Sequence, residues 1–439
     1  MKILTLNAET SEGGGANKIA KVIFDAAFDL GHESYFFFSK GISANKHYRK
    51  INHDDYRNIF HKIFLYLKNK SLENRIRFLP KFFTFLVNFS EPIRTIKKYL
   101  GHEDFQLPGS KNITSLLPTM PDLIHAHNLH SNFFDIRELP KISSSFPFFI
   151  TLHDCWTFTG HCCHFLECER WKSQCGKCPH LKLPMEIPRD GSRYNLNLKN
   201  KIFKDCRLHI ATPSNWLAKQ VNSSILRPAI KSLTVIPNGI DQNIFKPSIS
   251  KHIKNELKIP QENFVISFSC NSPSANPWKN YELLLNIVEI INQSKNTNSV
   301  TLLVLGETGS ISSFQNVEIR KLGWIKEPER VAEVYQASDL YLHVTKADTY
   351  PSVIMEAMSC GTPVIASNVG GISEQVTNDV DGILLPNDPV IFADTINKLM
   401  KNKYKLGNFS KMALKNSQKF NQKDMISKYY DWFTMHLNS

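Results

Sequence analysis

Short apolar runs alternate with helical patterns along the chain. In the first half the runs are KILTLNA (2–8), SYFFF (34–38), PDLIHAH (121–127), PFFITLH (147–153), RLHIATP (207–213) and LTVIP (233–237). A helical pattern, IAKVIFDAAFDLGH, follows the first run and stops at Gly31. Because strands buried on both faces are short and apolar, these runs predict a parallel sheet covered by helices.

The same alternation restarts in the second half. The predicted strands are FVISFSC (264–270), SVTLLVLG (299–306), DLYLHV (339–344), TPVIAS (362–367) and DGILLP (381–386), and YELLLNIVEIINQ is a predicted helix. The segment between the two halves, IPNGIDQNIFKPS, contains turn residues and shows neither helical nor strand periodicity. We therefore predict an α/β protein with two doubly wound domains, at 1–240 and 241–420. The amphipathic segment 421–439 is expected to return to the first domain. Two such domains leave a cleft at the carboxyl ends of their strands, where ligands bind.

Composition and charge narrow the class of protein. The 439 residues are 42% hydrophobic and 21% charged, which is normal for a folded domain. No apolar run approaches the roughly 18 residues of a membrane span, and the first residues lack the apolar core of a secretory signal. We therefore expect a cytoplasmic protein, in which stable disulfides are uncommon. The net charge of +13 suits partners such as nucleic acid, anionic lipid or phosphorylated substrates.

The positive charge is concentrated in one aromatic-rich stretch. From Arg57 to Lys98 there are ten Lys and Arg residues against two Glu, a surplus of eight. In the segment HKIFLYLKNKSLENRIRFLPKFFTFLVNF these Lys and Arg residues alternate with Phe and Leu, a pattern found in helices at an anionic membrane surface. An ordinary helical layer with a solvated basic face has the same composition, so both interpretations stay open.

Two segments place glycines or carboxylates at the ends of predicted strands and helices. In SEGGGANKIA the glycines 13–15 stand at a strand-to-helix turn, where backbone N–H groups can meet an anion, although a plain tight turn is the simpler interpretation and the default one. In DTYPSVIMEAMSCGTPVIASNVGG, Asp348 follows a strand and Glu356 lies on the second turn of a short helix. A turn at Gly370 and Gly371 then opens another predicted helix. The two carboxylates are therefore expected to point into one cleft.

The segment PSVIMEAMSCGTPV resembles the signature of the retaining glycosyltransferases of family 4. These enzymes have the GT-B architecture, in which two Rossmann-like domains enclose a cleft. The resemblance covers most of the chain: GGGANKIA, PDLIHAHN, TLHD, IPNGID (236–241), GWI (323–325), ASDLYLHVT (337–345) and GGISEQV (370–376) follow the family's order.

The resemblance implies a role for individual residues. Glu356 would accept hydrogen bonds from the ribose of a nucleotide-sugar, and Lys279 would contact its diphosphate. His153 and Asp348 would lie beside the donor sugar as the catalytic candidates. The further implied donor-binding residues are Gly14, Gly15, Gly370, Gly371 and Glu374. One ammonium and several N–H groups can stabilise a leaving diphosphate, so no catalytic metal is expected.

The chain departs from the family pattern at two positions. The first acidic residue is usually Glu and is here Asp348, and the Arg that often precedes the phosphate Lys by five residues is missing from FSCNSPSANPWK. Simpler interpretations also exist for several candidates. These are a helix surface for Glu356, a solvated loop for Lys279, a helix N-terminus for Glu374, and core positions for His127 and His130.

A cysteine-rich excursion, 155–180, interrupts the first domain. Its ordered cysteines are Cys162, Cys168, Cys175 and Cys178, and the closing CGKC has the C-x-x-C spacing of a zinc site. A family-4 subset linked to surface polysaccharide has a similar segment. We predict a structural zinc on these four cysteines, with disulfides or free thiols as alternatives. His161 or His164 could replace one ligand; Cys155 and Cys163 are extra, and the isolated Cys206, Cys270 and Cys360 are expected to be buried.

The predicted function is transfer of a hexosyl group from a UDP- or GDP-sugar to a growing, lipid-linked glycan of a surface polysaccharide, at the inner face of the membrane. The alternatives are an inactive or regulatory GT-B relative, a phosphorylase or epimerase on a similar fold, and a zinc-containing nucleic-acid-binding protein. The last needs a second C-x-x-C pair and leaves the second-domain signature unexplained, so no nucleic-acid partner is expected.

Overall fold

The computed structural model describes residues 1–10, 14–43, 45–75, 78–248, 252–294 and 299–437. Within these ranges, fourteen strands form two seven-stranded sheets, one in each half of the chain. Helices cover both sheets, and each sheet has its own buried apolar core. The predicted α/β class with two doubly wound domains is confirmed.

The first sheet has the strand order β3-β2-β1-β4-β5-β6-β7, with every neighbouring pair parallel. Its strands are β1 (Lys2–Leu6), β2 (Glu33–Phe38), β3 (Tyr48–Lys50), β4 (Leu123–Ala126), β5 (Phe148–Thr151), β6 (Leu208–Thr212) and β7 (Ile230–Val235). The accompanying helices are α1 (Gly15–Asp29), α2 (Ile59–Glu73), α3 (Leu79–Phe89), α4 (Pro92–Tyr99), α5 (Leu139–Ser145), α6 (Ser192–Phe203) and α7 (Asn215–Asn222).

The second sheet has the order β10-β11-β9-β8-β12-β13-β14. Its strands are β8 (Phe264–Ser269), β9 (Val300–Leu305), β10 (Ser312–Ser313), β11 (Val317–Gly323), β12 (Leu340–His343), β13 (Val364–Ser367) and β14 (Gly382–Leu385). The helices are α8 (His252–Glu256), α9 (Tyr281–Gln293), α10 (Pro328–Ala337), α11 (Ser352–Ser359), α12 (Pro389–Lys401), α13 (Lys403–Ser417) and α14 (Gln422–Leu437).

The eleven predicted strands are present, and the three that hydropathy missed lie at or beside sheet edges. Both β3, with the sequence YRK, and β11, with VEIRKLG, carry charged residues, and most residues of each strand are only half-buried. The two-residue β10 pairs antiparallel with β11. An edge strand needs no continuous apolar run, so its hydropathy signal is weak. The helix predicted after Gly371 is a single 3₁₀ turn, Ile372–Glu374, because the chain turns at once toward β14.

The last helix crosses from the second domain to the first. In α14, Tyr430 donates a hydrogen bond to the carbonyl of Ile23 at 2.9 Å, and Phe433 packs 5.1 Å from the ring of Phe149. The chain first passes from one domain to the other near Ile240, and there Ile240 forms an isolated parallel β-bridge with Asn421, just before α14. Two chain crossings therefore connect the domains at this end of the cleft.

Candidate active site

Lys279, His343 and Asp348 form one charged cluster in the second domain. His343 ends β12, Asp348 lies in the loop that follows, and Lys279 precedes α9. Lys279 Nζ donates to Asp348 Oδ2 at 2.6 Å and lies 3.4 Å from His343 Nε2. Burial would raise the pKa of Asp348, but the Lys279 ammonium and His343 outweigh it and lower that pKa. The fold therefore places a carboxylate and its counter-cation together, although 69 residues separate them.

Glu356 reaches the cleft from the second turn of α11, which begins after Pro351. The side chain is nearly buried and accepts a hydrogen bond from Tyr335 at 3.4 Å. Its other oxygen lies 3.4 Å from Lys18 Nζ, which belongs to the first turn of α1 in the opposite domain. The start of α1 therefore faces Glu356 directly across the cleft.

His153 follows β5 and lies beside the Asp348 loop. Its carbonyl accepts a hydrogen bond of 2.7 Å from the hydroxyl of Thr349. Its ring stacks on His127, with His153 Nε2 and His127 Nδ1 3.0 Å apart. Burial lowers the pKa of His153 to about 4 despite the nearby Asp154. His153 is therefore a neutral imidazole at the edge of the cleft.

The neighbouring Asp154 has a structural partner. It pairs with His130 at 3.1 Å and accepts a hydrogen bond from the Trp156 amide at 2.9 Å. Burial opposes ionisation, but His130 and the amide lower the pKa of Asp154 to about 2. These contacts hold Asp154 at the start of the cysteine-rich excursion.

Two glycines of the second domain allow a close approach between backbone segments at the cleft. Gly370 has φ 58°, and a Cβ there would lie 1.8 Å from the carbonyl oxygen of Asp348. A Cβ on Gly371 would lie 2.0 Å from the carbonyl oxygen of Thr349. Both glycines therefore let the second-domain turn support the Asp348 loop.

The first-domain glycine turn opens α1 toward the second domain. Gly14 has φ 97° and is the N-cap of α1. A Cβ on Gly15 would be 3.5 Å from Ser352 Oγ at the start of α11. The two helix N-termini therefore meet at the cleft, whereas Gly13 lies outside the described residues.

Glu374 contacts the first domain rather than the charged cluster. Its carboxylate accepts hydrogen bonds from the backbone amides of Asn215 at 2.8 Å and Trp216 at 2.6 Å. Asn215 adds its side-chain amide at 2.9 Å. Since these amides start α7, Glu374 caps a helix of the opposite domain. The simpler interpretation, that Glu374 stabilises the N-terminus of its own helix, is wrong: its own segment is a 3₁₀ turn, and the helix it caps is α7 of the first domain.

The structure adds two histidines that the sequence interpretation did not place in the cleft. From the sequence alone, His343 was only part of a predicted strand. A histidine at the carboxyl end of a strand, followed by a loop with an acidic residue, could have indicated a position in the cleft. His164 was considered with the cysteines, but its ring packs 4.8 Å from Trp278, next to Lys279. Asp348 and Lys279 are close enough to His164 to influence its pKa, which burial lowers.

The four predicted cysteine ligands lie together. Cys162, Cys168, Cys175 and Cys178 line one small cavity with His161. The outlying Cys206, Cys270 and Cys360 are buried, as predicted.

Two doubly wound domains with cations, carboxylates and helix N-termini at their shared cleft define a two-domain α/β protein with a ligand site between its domains. Residues 13–243 match the sequence model of Glycosyltransferase Family 4, and residues 264–402 match that of Glycosyl transferases group 1. The chain belongs to glycosyltransferase family 4 and is a glycosyltransferase.

The curated relatives include a glycosyl transferase described as acting in colanic acid biosynthesis and a D-inositol 3-phosphate glycosyltransferase. The putative colanic acid biosynthesis glycosyl transferase WcaC of Escherichia coli (strain K12) is 22% identical over 391 residues, which are 84% of this chain and 83% of that protein. The D-inositol 3-phosphate glycosyltransferase of Segniliparus rotundus is 30% identical over 166 residues, which are 35% of this chain and 36% of that protein.

Solved structures share the fold over the full chain. Sucrose-phosphate synthase from Thermosynechococcus elongatus superposes with a TM-score of 0.65 at 16% identity, covering 100% of this chain and 99% of that one. Anabaena Alr3699/HepE in complex with UDP-glucose has a TM-score of 0.61 at 18% identity, covering 99% and 100%. The GT-B prediction is confirmed by these likenesses.

Proposed function

We propose that this glycosyltransferase retains anomeric configuration and moves a hexosyl group from a UDP- or GDP-sugar to a growing, lipid-linked glycan of a surface polysaccharide. The observation that carries the proposal is the pairing of Lys279 with Asp348 in a cleft that Glu356 also faces. The relatedness to WcaC supports the polysaccharide part, and the UDP-glucose complex of HepE supports a nucleotide-sugar donor.

The chemistry of the leaving group explains this set of residues. When the bond from the anomeric carbon to the diphosphate breaks, both electrons stay on the phosphate oxygen. Lys279 supplies a fixed cation for that charge, and the N-termini of α1 and α11 supply N–H groups. Carboxylates only accept hydrogen bonds, so Asp348 and Glu356 suit sugar and ribose hydroxyls. His153, being neutral, serves as a hydrogen-bond partner at the sugar, and we assign no covalent nucleophile.

Lys18 is our candidate for the cation that replaces the missing Arg. Its ammonium is half exposed and pairs with Glu356 at 3.4 Å, so the existing ion pair is weak. A diphosphate between the domains would compete for this ammonium. Lys18 thus delivers positive charge from the first domain to the same cleft.

Kinetics of the purified enzyme with its nucleotide-sugar test the donor site. We expect Lys279→Ala to lower kcat about 10²–10³-fold, because a preorganised charge donor is lost. Glu356→Gln is expected to raise the donor KM, because an acceptor for the ribose hydroxyls is lost. Lys326→Ala, at an exposed lysine, is the control and should leave both constants unchanged. Wild-type rates in both Lys279→Ala and Glu356→Gln would disprove the assignment.

Helices α2, α3 and α4 support the membrane part of the proposal. The side chains of α3 and α4 include no buried residue, and in α2 only His61 and Ser71 are buried. The exposed apolar side chains on these helices are Ile59, Phe60, Ile63, Tyr66, Leu72, Leu79, Phe82, Phe85, Phe89, Ile93, Ile96 and Tyr99. Monomeric proteins rarely expose so many large apolar groups together. Among the described residues, no helix is long and apolar enough to cross a bilayer.

We infer that these three helices rest on an anionic lipid surface. The lysines that accompany the aromatic groups would pair with lipid phosphates while the rings enter the interface. The lipid-linked acceptor would then reach the first domain from the membrane.

Vesicle binding tests this surface. The variant Lys62→Glu/Lys70→Glu/Lys81→Glu is expected to bind anionic vesicles at least tenfold more weakly, since each base near the surface contributes about 1 kcal/mol. The matched control reverses three exposed lysines of the second domain, Lys398, Lys403 and Lys411, with the same change in net charge. Equal vesicle binding by both variants would show that α2–α4 are an ordinary helical layer and do not contact the membrane.

A further inference from the structure

The cysteine-rich excursion closes around a cavity large enough for one ion. The cavity has a volume of about 20 Å³ and lies between the loop 159–168, the 3₁₀ turn Arg170–Lys172 and the C-x-x-C turn 175–178. A space of this size holds about one water molecule or a single ion. Four cysteines and His161 are among the residues that line it, and none of the nine cysteines is in a disulfide.

Three donor atoms already have the spacing of metal ligands. His161 Nε2 lies 3.2 Å from Cys178 Sγ and 3.6 Å from Cys162 Sγ, and the three atoms lie within 4.8 Å of one another. Tetrahedral zinc, with bonds of about 2.0–2.3 Å, places its ligand atoms roughly 3.5–3.8 Å apart. A small adjustment would therefore bring all three atoms to bonding distance of one ion.

The tautomer of His161 favours a ligand rather than a hydrogen-bond donor to sulfur. His161 Nδ1 lies 2.8 Å from the carbonyl oxygen of Met185, which can only accept. The ring proton of a neutral His161 is therefore on Nδ1, and Nε2 directs its lone pair at the two thiols. Metal-binding histidines are oriented in this way by a carbonyl behind the ring.

The C-x-x-C turn is arranged to present its sulfur atoms. Cys175, Gly176 and Lys177 have positive φ values of 32°, 94° and 47°, which bend the chain sharply between the two cysteines. The amide of His180 donates to Cys178 Sγ at 3.4 Å, which stabilises negative charge on that sulfur. Asp190 accepts the amide of Cys178 at 2.9 Å and thereby anchors the turn to the start of α6.

We propose that this cavity binds one Zn²⁺ through His161 Nε2, Cys162 Sγ and Cys178 Sγ, with a thiolate from Cys168 or Cys175 as the fourth ligand. The ligand set of sulfur and imidazole suits zinc and leaves no position for a substrate. The site is structural: it braces a segment that contains few regular hydrogen-bonded elements. The sequence prediction had four cysteine ligands; the tertiary structure replaces one of them with His161.

The zinc would also position the excursion against the donor site. His164 stands two residues after Cys162 and packs on Trp278, which precedes Lys279. This consequence rests on the proposed function, whereas metal binding itself does not. Loss of zinc would therefore change the donor KM more than kcat.

Metal analysis of the full chain, purified without chelators, tests the site. We expect about one zinc per chain. Cys162→Ser and Cys178→Ser are expected to lose it, and the matched controls Cys206→Ser and Cys360→Ser, at buried cysteines outside the cavity, should keep it. Zinc-free wild-type protein, or a disulfide among the four cavity cysteines found by mass spectrometry, would overturn the proposal.

Cobalt replacement identifies the ligands without requiring activity. Co²⁺ added to chelator-treated wild-type protein should give intense thiolate-to-metal absorption. His161→Ala should keep that band, because its thiolates remain, but shift the weaker visible bands as one nitrogen ligand is lost. Of Cys168→Ser and Cys175→Ser, one should lower the charge-transfer intensity and the other leave it unchanged. An unchanged spectrum in His161→Ala would remove the histidine from the site.

Discussion

Single residues at the cleft hold one another in position. Lys279 and His343 keep Asp348 ionised, and the loop that carries Asp348 touches His153 through Thr349. Asp348 is one methylene shorter than the family's usual Glu, but Lys279 still reaches it at 2.6 Å. The substitution is therefore accommodated by a close cation within the same cluster.

Gly370 is predicted to be indispensable for this arrangement. Gly370→Ala should lower the free energy of unfolding by at least about 2 kcal/mol, because φ is positive and the new methyl group would overlap the Asp348 carbonyl. Gly407→Ala is the matched control: it lies within α13 with no atom within 4 Å of the added Cβ, and should stabilise by about 0.5–1 kcal/mol. Urea unfolding measures both, and a neutral Gly370→Ala would contradict the close approach.

At the scale of elements, α7 depends on a residue outside its own domain. Ser214 accepts the amide of Leu217, and Glu374 accepts the two amides before it, so the first turn is fully capped. The cap therefore stabilises the helix only while the two domains are in contact. In this way a helix terminus becomes part of the interdomain contact.

Removal of this cap should change stability and domain arrangement together. Glu374→Ala is expected to cost about 1 kcal/mol and to shift the population toward separated domains, seen as a larger radius of gyration in X-ray scattering. Asp388→Ala removes the cap of α12 inside the second domain and should cost a similar amount with no change in that radius. Identical scattering from the two variants would show that Glu374 does not hold the domains together.

At the scale of the whole molecule, buried histidines make stability depend on pH. Burial lowers the pKa of His125 to about 3 and that of His343 to about 4. The native chain keeps both neutral, while the unfolded chain takes up protons below about pH 6.5. Stability is therefore full above pH 6.5 and falls as the pH decreases toward these lowered values.

The dependence of the free energy of unfolding on pH can be measured. Each such histidine should reduce the free energy of unfolding by up to about 1.4 kcal/mol per pH unit well below pH 6.5. His125→Gln keeps a donor or acceptor for Thr151 but cannot take up a proton, so its stability should fall less steeply between pH 6 and pH 5. Urea unfolding at pH 7.5, 6 and 5 gives the slopes, and equal slopes in both proteins would refute the assignment.

Local sequence patterns predicted the alternating strands and helices of the two domains well. The strands buried on both faces, such as β1 and β12, have unmistakable apolar runs, and the signature segment pointed to Asp348 and Glu356 through its motif alone. Strands at or beside a sheet edge, such as β3 and β11, were missed because a strand that is only partly buried needs no continuous apolar run. Contacts between distant segments, including those of Lys18 and His164, had no local signal.

The sequence by itself determined the two α/β domains, the family and the residues that end strands at the cleft, because periodicity and short motifs are local properties. Only the tertiary structure decided which of those residues meet. It paired Lys279 with Asp348, placed Glu374 at the cap of α7, and turned His161 toward the cysteines while His164 packs on Trp278. The physical reason is that these contacts join segments far apart in the chain or depend on the direction of a side chain, and both are fixed by packing rather than by spacing.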